Sequence, residues 1–363
     1  MVRCSLNYLP IFIIIVTYCC LSGCVLFYLK DDLVLLDDSS TIRGWLETDD
    51  SHNKPILIAL YKPTENNQFK LETYTVRYGA GKFEILTASG DYYLVAFEDV
   101  NEDFTWQDNE YIGWHGKPTL IETKDGKDFA NLRLVLRSPD KAKQELPVLY
   151  APSTPHTSLL GENTRTGIIT DLNDSRFTPE VGKLGMWQPF EFVQQKNHGI
   201  FFLEIFDPNK IPILFVHGAL GTGGDWREII KHIDREKFQP WIMQYPTGLR
   251  LDLISRIASE ELIKLQIRFK YEKLFVIAHS VGGLVSRSMI NYNLQQNQNF
   301  NIEFFTSIST PWQGHIGALS GVKNVPVIVP SWYDLVPNCP FLQSLTSEAL
   351  PTNLPHHLFF SHT

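Results

Sequence analysis

The fold of the second half of the chain is decided by the sequence Leu274-Phe275-Val276-Ile277-Ala278-His279-Ser280-Val281-Gly282-Gly283. Its first five residues are apolar and predict a buried strand of a parallel sheet. Residues 284–294 have a helical apolar pattern, so Ser280 is predicted at the tip of a sharp turn between a strand and a helix. Large side chains beside such a turn would collide, and small residues (Ala278, Gly282) occupy the positions two before and two after the serine.

A second motif lies upstream of this turn. The apolar run 211–216 predicts another buried strand, and His217-Gly218-Ala219-Leu220-Gly221-Thr222-Gly223-Gly224 follows it. The glycines allow the backbone to approach a ligand oxygen closely. The alternative is a phosphate-binding turn, but the loop lacks the Lys-Ser/Thr ending of a P-loop and the spacing of a dinucleotide fingerprint.

Together, in this order, the two motifs resemble those of the α/β-hydrolase superfamily, and within it the bacterial lipase/esterase branch with an Ala-His-Ser-x-Gly-Gly turn. The resemblance implies an α/β fold with a doubly wound, mostly parallel sheet and a site at the carboxyl ends of its strands. It also implies that Ser280 is a nucleophile and that the backbone N–H groups of Ala219 and Val281 form an oxyanion hole. No cofactor is implied for this catalysis.

A serine needs a histidine as base and a carboxylate to orient that histidine, and in this fold the chain order is Ser, acid, His. Asp334 follows the sixth predicted strand, and His362 stands at the carboxyl end of the last one, so these are the candidate acid and base. The alternatives are a helix cap or loop residue at Asp334 and a frayed terminus at His362. The other candidates after Ser280 are Glu303, Glu348, His315, His356 and His357.

Three interpretations of this inventory stay open: a complete but atypical triad, a truncated chain that has lost its acid and base, and a non-catalytic relative. The sequence favours truncation, because residues 359–363 end abruptly at the predicted active-site edge with no closing helix. From the resemblance of the two motifs, we expect a serine hydrolase that acts on carboxylic esters. The alternative is a non-enzymatic lipoprotein that uses the hydrolase fold as a binding scaffold.

Residues 1–23 differ from the rest of the chain. Arg3 precedes an apolar run that ends in Leu21-Ser22-Gly23-Cys24, which resembles a bacterial lipoprotein signal with lipid attachment at Cys24. The rival interpretation is a signal anchor, and the small-small-Cys site favours the lipoprotein. Either one tethers the protein to a membrane and predicts that the folded part faces the periplasm or exterior of a bacterial envelope.

The remaining sequence predicts two domains. Residues 24–50 are expected to be a tether, 51–138 a β-sandwich, 139–166 a Pro/Ser/Thr-rich linker, and 167–363 the hydrolase domain. The strand around residues 89–99 resembles those of prealbumin-like or carboxypeptidase-regulatory sandwiches. With a net charge of −8 the chain has no basic footprint, so nucleic acid is not expected as a partner, whereas an ester or lipid is expected as the substrate.

An acidic loop follows that strand. Its oxygen-bearing side chains fall on the alternating ligand positions of an EF-hand-type loop, which predicts a structural Ca²⁺ site. The principal ligands would be Asp99, Asn101, Asp103 and Glu110. Position six is Phe104 instead of glycine and no helices flank the loop, so the alternative is a solvated acidic hairpin tip.

Overall fold

The computed structural model describes residues 28–34, 39–48, 54–63, 69–116, 119–124, 126–145, 166–296 and 300–360. None of the helices within these ranges combines the length and the apolar character needed to cross a membrane. The predicted signal segment, residues 1–23, and the predicted lipid-bearing Cys24 lie outside the described residues.

The amino-terminal domain is built from strands whose side chains alternate between a buried and an exposed face. Its strands are β1 (Ser40–Glu47), β2 (Pro55–Pro63), β3 (Phe69–Tyr78), β4 (Gly81–Thr87), β5 (Gly90–Glu98), β6 (Ile112–Trp114), β7 (Leu120–Thr123) and β8 (Phe129–Val135). They form a three-stranded sheet, β4-β1-β8, and a five-stranded sheet, β3-β2-β5-β6, with β7 paired to β5. The core between them contains Ile42, Leu46, Tyr92 and Leu134, all buried.

The structure corrects the expected boundary of this domain. Strand β1 lies within the predicted tether, yet it pairs with both β4 and β8 and is the central strand of its sheet. The sandwich therefore begins at Ser40 and not at residue 51. Sequence reasoning missed β1 because its apolar residues are few, and their partners lie far along the chain.

The carboxyl-terminal domain is a seven-stranded sheet in the order β15-β14-β13-β11-β12-β10-β9. Its strands are β9 (Ile168–Ile169), β10 (Gly199–Phe202), β11 (Ile211–Val216), β12 (Phe238–Gln244), β13 (Leu274–His279), β14 (Ile302–Ile308) and β15 (His356–Phe359). Neighbours from β12 through β15 run parallel, and β10 is antiparallel to β12. This is the α/β-hydrolase fold that the sequence predicted, with β11, β13 and β14 side by side.

Helices flank the sheet and fill the loops at its edges. They are α1 (which includes residues 28–34), α2 (Pro139–Glu145), α3 (Pro179–Trp187), α4 (Pro189–Gln194), α5 (Arg227–Ile230), α6 (Leu251–Phe269), α7 (Val281–Gln295), α8 (Ile316–Asn324), α9 (Pro330–Leu335) and α10 (Pro340–Ser347). Helix α2 lies in the predicted linker. Helices α8 to α10 lie between β14 and β15.

The two domains share a buried interface. Strand β3 lies against α6, and one apolar cluster runs from Val76 of the sandwich to Leu262 of the helix. The ammonium of Lys264 lies 4.2 Å from the centre of the Tyr74 ring and 2.8 Å from a carboxylate oxygen of Glu261. A buried ammonium is tolerated here because a carboxylate and an aromatic face surround it.

Candidate active site

Ser280 lies on a strained turn between β13 and α7. Its backbone angles are φ 53° and ψ −128°, a region that non-glycine residues adopt rarely and that is retained when the surrounding structure enforces it. The Ser280 N–H donates to the carbonyl of Ile308 on the next strand at 2.8 Å. The turn therefore holds the serine at the carboxyl end of the parallel strands, as predicted.

The two sequence motifs touch each other at this edge. A methyl group on Gly218 would lie 2.9 Å from the Cβ of Ser280, and one on Gly282 would collide with the backbone carbonyls of Val216 and His217. A side chain at either position would be too close to its neighbours: at Gly218 to the side chains of Ser280 and His279, and at Gly282 to the backbone of β11 and its loop. The loop after β11 therefore lies directly beside the serine.

The predicted oxyanion donors stand on either side of this contact. Ala219 is an exposed residue of the glycine-rich loop, and Val281 is the first residue of α7. Within the described residues, neither backbone N–H donates a hydrogen bond to another group. An N–H at the first position of a helix lacks an intrahelical acceptor, so that of Val281 can serve an incoming oxygen.

His217 fixes the base of the loop. Its ring is stacked on Tyr245, its Nδ1 lies 2.9 Å from the Gly218 carbonyl, and its Nε2 accepts from the Tyr245 N–H at 3.3 Å. These contacts require a neutral ring with the proton on Nδ1, because Nε2 faces a donor. Complete burial lowers the pKa of His217 to about 4, which keeps the ring neutral at pH 7.

Residues at the end of β12 also hold the loop, and sequence reasoning missed them. The Thr247 hydroxyl accepts from the Leu220 N–H at 3.2 Å, and the Gln244 side chain accepts from the Gly223 N–H at 2.8 Å. Leu220 itself has φ 59°, so its conformation depends on such support. Their position after a predicted strand, at the edge where ligands bind, was the available signal.

Asp334, the predicted acid, has a different role. Its carboxylate is fully buried, receives hydrogen bonds from the Arg250 guanidinium at 2.7–3.0 Å, and accepts from the Leu251 N–H at 2.7 Å. Leu251 is the first residue of α6, so Asp334 caps that helix. No histidine of the described residues contacts this carboxylate, and the expectation that it orients one is wrong. The helix-cap alternative is the correct one.

The predicted base, His362, lies outside the described residues. Strand β15 ends at Phe359, which pairs with Ile308, so the chain leaves the sheet at the same edge as Ser280. His356 is the first residue of that strand, its ring stacks on Phe305, and its Nε2 lies 2.9 Å from the Ser307 hydroxyl. His315 caps α8 through Nδ1. Within the described ranges, no histidine hydrogen-bonds the Ser280 hydroxyl.

The predicted calcium site is also wrong. The Asp99 carboxylate accepts from the N–H groups of Asp103 and Phe104 at 3.0 and 2.8 Å, and that of Glu110 accepts from Val100 and Gln107 at 2.7 and 2.9 Å. The two buried carboxylates thus face backbone donors of their own loop. Across the described ranges, no group of three or more His, Cys, Asp or Glu side chains is placed to hold a metal ion.

The helix that includes residues 28–34 packs beside the site. Leu29 is fully buried against Met186 and Val329, and the Asp32 carboxylate accepts from the N–H groups at the start of α4. Met186 belongs to α3, whose Gly182 is pressed against the carbonyl of Leu220 in the oxyanion loop. The helix that follows the predicted lipid-bearing Cys24 is thereby connected, through α3, to the loop beside Ser280. We call the sheet edge at Ser280 the catalytic edge.

A protein-family model described as "Putative serine esterase (DUF676)" matches residues 208–335. This range includes the turn at Ser280, the glycine-rich loop and Asp334, and it ends before β15. No curated protein matches the chain.

Three solved structures illustrate the structural likeness. Bacillus licheniformis lipase BlEst2 in mature form is 21% identical, with a TM-score of 0.33, over 40% of this chain and 62% of that one. Aspergillus fumigatus lipase B is 15% identical, with a TM-score of 0.36, over 46% and 41%. Phospholipase PlaB from Legionella pneumophila is 13% identical, with a TM-score of 0.34, over 42% and 39%. The match spans less than two thirds of each of these chains.

Fold, site and family model agree with one another. The sheet is that of an α/β-hydrolase, Ser280 occupies the position of its nucleophile turn, and the family model that matches residues 208–335 is described as a putative serine esterase.

Proposed function

We propose that the protein is a membrane-tethered serine hydrolase that cleaves carboxylic esters through an acyl-enzyme on Ser280. The observation that carries the proposal is the contact between the strained Ser280 turn and the loop after β11. This contact sets a hydroxyl next to two backbone N–H groups without acceptors among the described residues.

The reaction has two steps. The Ser280 oxygen attacks the ester carbonyl while a base takes its proton, and the N–H groups of Ala219 and Val281 bind the developing oxyanion. The tetrahedral intermediate then breaks its bond to the alcohol, which leaves with the proton. Water attacks the acyl-enzyme in the same way, releasing the carboxylic acid and restoring Ser280.

His362 is our proposal for the base. Strand β15 delivers the chain to the catalytic edge at Phe359, and His362 follows three positions later. Asp334 has no part in this assignment, since Arg250 and the α6 N–H already occupy its oxygens.

A lipid attached at Cys24 would hold the protein at a bilayer, and a membrane lipid ester is therefore the substrate that we propose. Only four residues separate Cys24 from Leu29, which is buried against Met186 and Val329. An extended chain spans at most ~3.5 Å per residue, so the lipidated residue would lie within roughly 18 Å of that contact. The catalytic edge would then face the bilayer of a bacterial envelope, on its periplasmic or exterior side.

Fluorophosphonate labelling of the purified protein tests the enzyme. We expect covalent modification at Ser280 that is lost in Ser280→Ala. Incorporation of an alkyne-tagged fatty acid, lost in Cys24→Ser, tests the tether, and an uncleaved amino terminus would support the signal anchor instead.

The alternative function is a non-enzymatic lipoprotein in which the hydrolase fold is a scaffold. Two observations favour it: Asp334 is paired with Arg250, and no histidine of the described residues hydrogen-bonds the Ser280 hydroxyl. A well-folded protein that takes up no fluorophosphonate would select this alternative.

A further inference from the structure

A cleft with a volume of about 960 Å³ lies between the two domains. One wall is the outer face of the β4-β1-β8 sheet, and the other is formed by Arg256 and Glu260 of α6 and by Tyr292 and Gln295 of α7. Tyr292 lies near the end of α7 that is remote from Ser280, roughly 18 Å along the axis at ~1.5 Å per residue. The cleft is therefore separate from the catalytic edge.

The floor of the cleft carries an exposed tryptophan. Trp45 lies on β1, and 47% of its surface is exposed, whereas its neighbour Leu46 is fully buried on the opposite face. Its ring contributes little to the core, because side chains alternate along a strand and Trp45 points away from it. An exposed indole inside a concave polar surface offers a flat apolar platform to a ligand.

Cations flank this platform on both neighbouring strands. Trp45 pairs in register with Lys82 of β4 and with Arg133 of β8. Arg43 and Glu47 occupy the next outward positions on β1 itself. The planar ring is thus bordered by groups that can hydrogen-bond hydroxyl and anionic groups.

The cleft contains basic side chains that no carboxylate neutralises. Glu84 binds Arg43 and Arg256, and Glu47 binds Arg133 at 2.6 Å. Arg43 and Arg256 also pair with Asp128 and Asp252. Burial raises the pKa of Glu260 to about 7, although the nearby Lys264 ammonium opposes this shift. Within the described residues, Lys82 has no carboxylate partner and Arg77 donates only to carbonyls.

We propose that the interdomain cleft binds an acidic saccharide. The apolar C–H face of a sugar ring would pack on the Trp45 indole, its hydroxyls would bond the charged side chains at the rim, and its anionic group would pair with Lys82. An acidic peptide satisfies the charge but brings no flat ring for the indole, so the observations favour the saccharide.

Isothermal titration of the full-length protein with galacturonic acid hexamer tests this assignment. We expect saturable binding that weakens as salt is raised. Trp45→Ala and Lys82→Gln should each weaken it about tenfold, or about 1.4 kcal/mol. Lys231→Gln, an exposed lysine on the hydrolase domain, is the matched control and should bind as the wild type does. Ser280→Ala should also bind normally, which separates this site from the ester chemistry.

Three results with the wild-type protein would overturn the proposal. These are absence of binding by the folded wild-type protein, equal affinity for cellohexaose, which has no charge, and equal affinity for hexaglutamate, which has no sugar ring. Binding that survives both Trp45→Ala and Lys82→Gln would likewise place the ligand elsewhere. Circular dichroism of each variant confirms that the fold is retained.

Discussion

The ring of His217 lies parallel to the ring of Tyr245, with centroids 4.3 Å apart and planes 12° apart. The Tyr245 hydroxyl donates to the His217 carbonyl at 2.6 Å, so the two residues are joined through both ring and backbone. His217 precedes the oxyanion loop, and Tyr245 follows the neighbouring strand β12. Their pairing fixes the loop to the sheet, and the position of the Ala219 N–H depends on it.

Tyr245→Phe should impair catalysis as well as stability. It leaves the buried His217 carbonyl without its donor, which costs about 1–3 kcal/mol of unfolding free energy. The loop then loses its alignment, so kcat for a soluble ester should fall while KM changes little. Tyr271→Phe is the matched control, because Tyr271 is equally buried and donates to the Leu262 carbonyl at 2.9 Å away from the loop. Equal kcat losses in the two variants would contradict the prediction.

Stability should decrease on acidification because of His217. Burial lowers its folded-state pKa to about 4, below the ordinary value near 6.5, so the unfolded chain binds the proton more readily. The stabilisation is complete above pH 6.5 and is lost as pH falls towards 4, by on the order of 3 kcal/mol. Urea denaturation at stepped pH measures this dependence.

The comparison for that experiment is His217→Gln at each pH. Burial raises the pKa of Asp99 to about 6 and of Glu110 to about 7. These two carboxyls therefore increase the stability of the fold as pH falls over the same range, whereas His217 decreases it. Since they are present in both proteins, the difference between the two curves isolates His217. Curves that remain parallel between pH 4 and 7 would rule out the histidine as the source.

Asp334→Ala should affect stability and leave the chemistry intact. It removes the acceptor of the buried Leu251 N–H, which costs about 1–3 kcal/mol. The Arg250 side chain is about half exposed and water can replace its lost partner, so loss of this ion pair costs less unfolding free energy than loss of the Leu251 hydrogen bond. Fluorophosphonate should modify Ser280 in the folded variant at the wild-type rate. A labelling rate that falls by orders of magnitude would show instead that Asp334 is needed for catalysis.

The acidic loop should respond to substitution and not to calcium. Glu110→Gln places an amide NH₂ against one of the two N–H donors, and we expect the free energy of unfolding to fall by about 1–3 kcal/mol. The Tm of the wild-type protein should be the same in excess Ca²⁺ and in EGTA. A rise in Tm with Ca²⁺ would contradict the hydrogen-bonded loop.

The sequence by itself determined the elements that depend on local patterns. Apolar runs gave β11 with its bounds (Ile211–Val216), and they gave β13 to within a residue. The small residues around Ser280 predicted the turn, because that backbone conformation allows few residue types. The resemblance to the α/β-hydrolases implied that the glycine-rich loop would lie beside it.

Only the tertiary structure decided which polar groups meet. Asp334 was a candidate acid by its place in the chain, and the fold brings it to Arg250 and the first N–H of α6. Asp99 and Glu110 have the spacing of calcium ligands, and their oxygens turn to backbone donors instead. The partner of a carboxylate depends on distances between segments far apart in the chain, and a sequence pattern records only distances along it.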